Sequence, residues 1–129
     1  MRRATCRCGN LTLVCHAEPV QVSVCHCLEC QRRTGSAFGV QARFPEASVR
    51  LEGDFAEFER IGDSGQWARY RFCPNCGSTV AYQNEDSPGF IAVPVGAFAD
   101  PEFPMPGRSK FEHRKHEWVS IAGRGIEHL

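Results

Sequence analysis

The heptapeptide Phe72-Cys73-Pro74-Asn75-Cys76-Gly77-Ser78 decides how this chain folds. A C-P-x-C-G element makes a tight turn that aims two thiolates at one point, and Gly77 can take the positive φ such a turn needs. Backbone N–H groups of the turn can then point at the sulfurs and steady them. Two ligands do not close a structural zinc site, which is tetrahedral, so a second pair is required. Cys6-Arg7-Cys8-Gly9 supplies it. Residues i and i+2 of a strand share a face. Flat strand geometry would set them ~6.5 Å apart, whereas sulfurs held ~2.3 Å from zinc lie only about 3.8 Å apart. The chain is therefore expected to bend at this pair, and Gly9 lets it bend. Cys6, Cys8, Cys73 and Cys76 read as one closed zinc site that pins the N-terminal strand to the middle of the chain. Zinc is favoured over iron because nothing in the sequence suggests redox work.

Cys25-His26-Cys27-Leu28-Glu29-Cys30 reads differently. Cys25 and Cys27 share a strand face, His26 points to the opposite one, and Cys30 arrives through the turn that follows. Three protein ligands without a fourth mark a catalytic zinc site, whose last position takes water or substrate. Three thiolates leave one Zn²⁺ at net charge −1, which suits a soft fourth ligand such as a thiol. The alternative is a site closed by Cys15 or an imidazole. Cys15 sits in the alternating stretch Leu11 to Ala17 and reads as a buried apolar residue. Next come Arg32 and Arg33, whose guanidinium forks match carboxylates. Gly35 and Ser36 are read as backbone donors near the open position. Arg32, Arg33 and Ser36 are the candidate substrate contacts, and His26 and His116 the candidate general bases.

Period-two alternation surrounds these motifs. Val20, Val22 and Val24 form one run, and Phe38, Val40, Ala42 and Phe44 a second. Val49 and Leu51 mark a third, Phe55 to Ile61 a fourth, and Ala68, Tyr70 and Phe72 a fifth. Thr79 to Gln83 and Phe90 to Val95 follow, with turns at 52–54, 62–65 and 87–89. Short strands at this spacing predict a mainly β, antiparallel architecture. Leu28 to Arg33 is the one short helix expected, stopped by Gly35. Asp100 to Gly107, with three prolines, is expected to be a stiff loop. The tail is expected to return as a strand through Trp118-Val119-Ser120-Ile121.

Composition agrees with one domain over residues 1–129. A chain of 129 residues can build one core. Lys plus Arg and Asp plus Glu are equal at 15 each, which speaks against nucleic-acid or membrane-surface binding. The first residues lack an apolar signal core, so the cytoplasm is the expected compartment. Thiols there stay reduced, and eight cysteines read as metal ligands in preference to disulfides.

In these residues the sequence resembles the glutathione-dependent formaldehyde-activating enzyme family, also called the centromere protein V/GFA domain family. The resemblance is carried by Cys6-Arg7-Cys8-Gly9, by residues 25–38 from Cys25 to Phe38, by residues 72–78, and by the tail segment from Phe111 to Val119. It implies a β-tent of antiparallel sheets stapled by zinc. It implies one zinc on Cys6, Cys8, Cys73 and Cys76 and a second on Cys25, Cys27 and Cys30. The implied activity is that of a carbon–sulfur lyase joining a small thiol, glutathione or a similar one, to formaldehyde or a similar aldehyde. A non-catalytic zinc-stabilised binding module and a thiol redox or metal sensor are the competing readings. The expected partner is a small-molecule thiol or its adduct, and the sequence leaves the oligomeric state open.

Overall fold

The computed structural model describes residues 1–129 and shows eleven strands in two sheets with a single α-helix. The smaller sheet has the order β1-β2-β5, from Arg2–Thr5, Thr12–Cys15 and Val49–Glu52. The larger holds β3 (Gln21–Cys25), β4 (Gly39–Pro45), β6 (Ala56–Ile61), β7 (Trp67–Phe72), β8 (Thr79–Asn84), β9 (Phe90–Pro94), β10 (Arg108–Lys110) and β11 (Glu127–His128). Its order is β11-β10-β3-β4-β9-β8-β7-β6. Every pairing is antiparallel except those of β10, which runs parallel to both β3 and β11. Helix α1 (Leu28–Thr34) links β3 to β4. No helix is long and apolar enough to cross a membrane.

Alternation sorts the side chains of the large sheet. Val22 faces Ala42, Ala42 faces Val93 and Phe44 faces Ile91. These meet Ala4, Leu13 and Cys15 of the small sheet in the apolar core. The opposite face carries Ser23, Cys25, Gln41 and Arg43 on β3 and β4. It continues through Ala92, Tyr82 and Tyr70 to Phe58 on the edge strand β6. Helix α1 lies over this polar face: the Arg33 guanidinium sits 4.9 Å above the Tyr82 ring. The buried Gln41 side chain donates to Ser23 Oγ at 3.2 Å, so part of the polar row satisfies itself.

Seven expected strands and the helix stand where alternation placed them. The tail does not. Trp118 to Ile121 carry no strand, and Val119 N–H closes a turn onto His116 O. The chain instead joins the sheet through Arg-Ser-Lys at β10 and Glu-His at β11, with Glu127 N–H bonded to Gly107 O. Those two strands are too short and too polar to show a hydrophobic period. Asp100 to Gly107 holds no helix or strand, as its prolines require.

Candidate metal centres

The first cysteine group joins the two sheets. Cys6 and Cys8 lie in the turn between β1 and β2, and Cys73 and Cys76 in the turn between β7 and β8. The four sulfurs lie within 4.8 Å of one another. Cys8 Sγ is 3.7 Å from Cys6 Sγ and 3.6 Å from Cys73 Sγ. Those separations match the ~3.8 Å edge of a zinc–sulfur tetrahedron. Cys6 and Cys8 do not occupy a strand, as their i, i+2 spacing suggested. β1 ends at Thr5, and the chain turns with Gly9 at φ 88° and Gly9 N–H on Cys6 O.

Nearby donors already address these sulfurs. Leu11 N–H donates to Cys6 Sγ at 3.2 Å and Asn75 N–H to Cys73 Sγ at 3.3 Å. The Asn75 amide, followed by the Asn10 N–H, holds the Cys8 thiol below its usual range. Ser78, through hydroxyl and then backbone, brings Cys76 down to about 5. Donors that stabilise thiolates are what a metal-binding cysteine set needs. The donor set fits a structural zinc.

The second group stands on the polar face. Cys25 ends β3, Cys27 caps the N-terminus of α1, and Cys30 lies in the helix's first turn. Cys30 N–H donates to Cys27 Sγ at 3.3 Å, so one residue caps a helix and presents a ligand. The three sulfurs also lie within 4.8 Å of one another, and no other Cys, His, Asp or Glu joins them. Cys15 is buried in the apolar core and takes no part. Hydrogen bonds with Cys25 and then Cys30 hold the Cys27 thiol well below its usual range, while contacts with Cys25 and then Cys27, together with burial, push Cys30 up. Sulfurs this close cannot all ionise unless a cation joins them. Three soft donors converging on one point, with one side of the tetrahedron lacking a protein ligand, fit a zinc with an exchangeable position.

The other expected residues divide. His26 is fully buried and turns away from the sulfurs, with Nε2 2.9 Å from Ser109 Oγ. His116 is exposed and its Nε2 lies 3.0 Å from Gln31 Oε1, one residue beyond Cys30. Gln31 also donates to His26 O at 2.9 Å and to Arg114 O at 3.2 Å. Gln31 thus ties the tail, the helix and the cysteine loop together, a role its place in the sequence does not reveal. Arg32 and Arg33 line a pocket with Glu29 under the helix. Ser36 lies outside it in the exposed turn after α1. The N–H groups of Gly35 and Ser36 are taken by Gln31 O and Thr34 Oγ1. They are therefore not free donors, because the helix needs them for its own end.

Comparison with known proteins follows the same lines. The family model described as glutathione-dependent formaldehyde-activating enzyme matches residues 1–120. A Schizosaccharomyces pombe protein named as an uncharacterized lyase is 33% identical over 90 residues, covering 67% of this chain and 61% of its own length. The chain thus spans less than two thirds of that relative. A crystal structure of a Rhodobacter sphaeroides protein aligns with a TM-score of 0.59 at 22% identity, over 74% of this chain and 85% of that one. That likeness is one of fold.

Proposed function

The chain belongs to the family of the glutathione-dependent formaldehyde-activating enzymes, and on that premise we propose that it is a zinc-dependent carbon–sulfur lyase acting on adducts of a small thiol with an aldehyde. The supporting observation is the contrast between its cysteine groups: four converging sulfurs in one, three in the other with no further protein donor. The relative named as a lyase supports the same reaction class.

Cys6, Cys8, Cys73 and Cys76 would hold a structural zinc, and Cys25, Cys27 and Cys30 a second. Bound there, the second zinc supplies Lewis acidity and a soft site for sulfur. The chain's residues do the rest. Cys27 fixes the start of α1. That sets Cys30 and the arginines that follow on one rigid element. Gln31 holds His116 at the helix surface. His116 is therefore the stronger candidate to take the thiol proton, since the His26 ring is buried against Ser109 and cannot meet a substrate. A binding module would favour a closed second group, and Cys15 and the imidazoles leave it open.

The test adds glutathione and formaldehyde and follows their exchange by NMR. The intact protein should accelerate exchange and Cys27→Ser should not. Equal rates with the two proteins would remove the lyase reading.

A further inference from the structure

The pocket beside the second cysteine group has a definite chemistry. It lies between α1 and the β6–β7 hairpin, with a volume of about 460 Å³, within the ~300–1,000 Å³ of ordinary ligand sites. Glu29, Arg32 and Arg33 line it from the helix, and Arg60, Phe58 and Tyr70 from the strands. Phe58 and Tyr70 are directly paired across the ladder, and the Tyr70 ring meets Tyr82 at 5.2 Å. The floor is thus an aromatic row, and guanidiniums stand around it.

Charge in the pocket is unbalanced. Glu29 is its one carboxylate and is shared: Oε1 is 3.2 Å from Arg32 and Oε2 3.1 Å from Arg60. Arg33 has no carboxylate, and its Nη2 is buried without a hydrogen-bond partner. Buried donors without a partner are uncommon and call for a reason. The Arg33 head also lies near the cysteine group. A methyl group on Gly39 would meet Arg33 Nη2 at 3.0 Å and Cys30 Cβ at 3.4 Å, so both border the same small space.

We infer that this pocket is an anion site that takes a carboxylate of the thiol substrate, with Arg33 and Arg60 as its binding residues and Phe58 and Tyr70 packing on the substrate's apolar stem. The inference rests on the second cysteine group being the reacting centre. Planar guanidinium forks fit carboxylates, and aromatic faces accept a flexible apolar chain beside them. Glu29 acts as an internal competitor that holds Arg32 and Arg60 until an anion replaces it. A sulfur compound lacking a carboxylate would leave the guanidiniums unanswered and bind poorly.

S-methylglutathione is the probe, because its thioether has no proton to exchange and reports binding alone. Calorimetry should show it binding to the intact protein and to Cys27→Ser. Its diethyl ester should bind on the order of tenfold more weakly, the usual weight of one charge-assisted contact. Arg60→Gln should weaken the acid about tenfold and leave the ester unchanged. Glu29→Gln should tighten the acid, because it frees both arginines. A merely structural Glu29 would not move affinity in that direction. Equal binding of acid and ester, or no binding of either, would overturn the pocket assignment. Discrimination between acid and ester with no thiol–aldehyde exchange would uphold the pocket and remove the lyase reading instead.

Discussion

Single residues set the geometry of both metal groups. Gly53 is one. Its φ is 102°, and a Cβ there would lie 2.1 Å from Asn10 O, a backbone atom that cannot step aside. Asn10 belongs to the turn that carries Cys6 and Cys8. Gly53→Ala should lower stability by about 2–3 kcal/mol, from strain and a displaced backbone, read as a shift in the urea midpoint. Glu52-Gly53-Asp54 was legible as a turn from its residue types. Its contact with Asn10 was not, because local sequence carries no record of which distant carbonyl packs on a glycine. The cysteine groups were legible for the opposite reason. Tetrahedral coordination limits how thiolates can be shared out, so spacing alone sorts them. The orientation of His26 was half visible: alternation turns it from the sulfurs, but only the fold puts Ser109 in its path.

At the scale of elements, α1 is the most dependent part. It has seven residues and none of them is buried. Isolated helices below ~12–15 residues are marginal in water. Its support is the Cys27 cap, the left-handed Gly35 end and the Gln31 tether. Cys27→Ala, which removes the capping atom, should leave the sheets intact and expose amides 28–34 to hydrogen exchange at rates far above those of β4 and β9. Unchanged protection in that segment would show the helix to be held by packing alone. The junction of β10 and β11 carries an acid-sensitive contact. Glu112, bonded first by Ser109 and then by His128, has its carboxyl below the usual range. A lowered carboxyl adds stability above its unfolded value near pH 4.3, and that contribution fades as pH falls through the folded value. Glu112→Gln should therefore narrow the stability gap between pH 6 and pH 3, measured by denaturant titration at each pH. The same region defeated sequence reading. Trp118 to Ile121 alternate like a strand, yet the pairing went to β10, whose Arg-Ser-Lys shows no hydrophobic period.

Across the whole molecule, the two cysteine groups would close loops of different size on binding metal. Cys8 and Cys73 are 65 residues apart in sequence and bring two sheets together. Cys25, Cys27 and Cys30 fall within one β3–α1 junction. Closing a long loop confines the unfolded chain more than closing a short one, and a structural zinc can contribute ~10–16 kcal/mol in small peptides. That is as large as the ~5–15 kcal/mol of stability expected of a domain. Cys73→Ser should therefore fail to fold, while Cys27→Ser should fold and lose activity. Proton NMR dispersion of the two proteins decides it, and a dispersed spectrum from Cys73→Ser would contradict the structural assignment. Acid should release metal in both sites as thiolates gain protons.

The distance along the chain between Cys8 and Cys73 also has a meaning in time. Translation adds roughly 5–20 residues per second, so Cys73, 65 positions after Cys8, appears some seconds later. Through that interval the nascent chain carries Cys6 and Cys8 without their own partners, while Cys25, Cys27 and Cys30 are made and offer thiolates to the same ion. Completion of the first site would therefore wait for synthesis of the Cys73-Cys76 turn, and starving cells of zinc should strand newly made chains before mature ones.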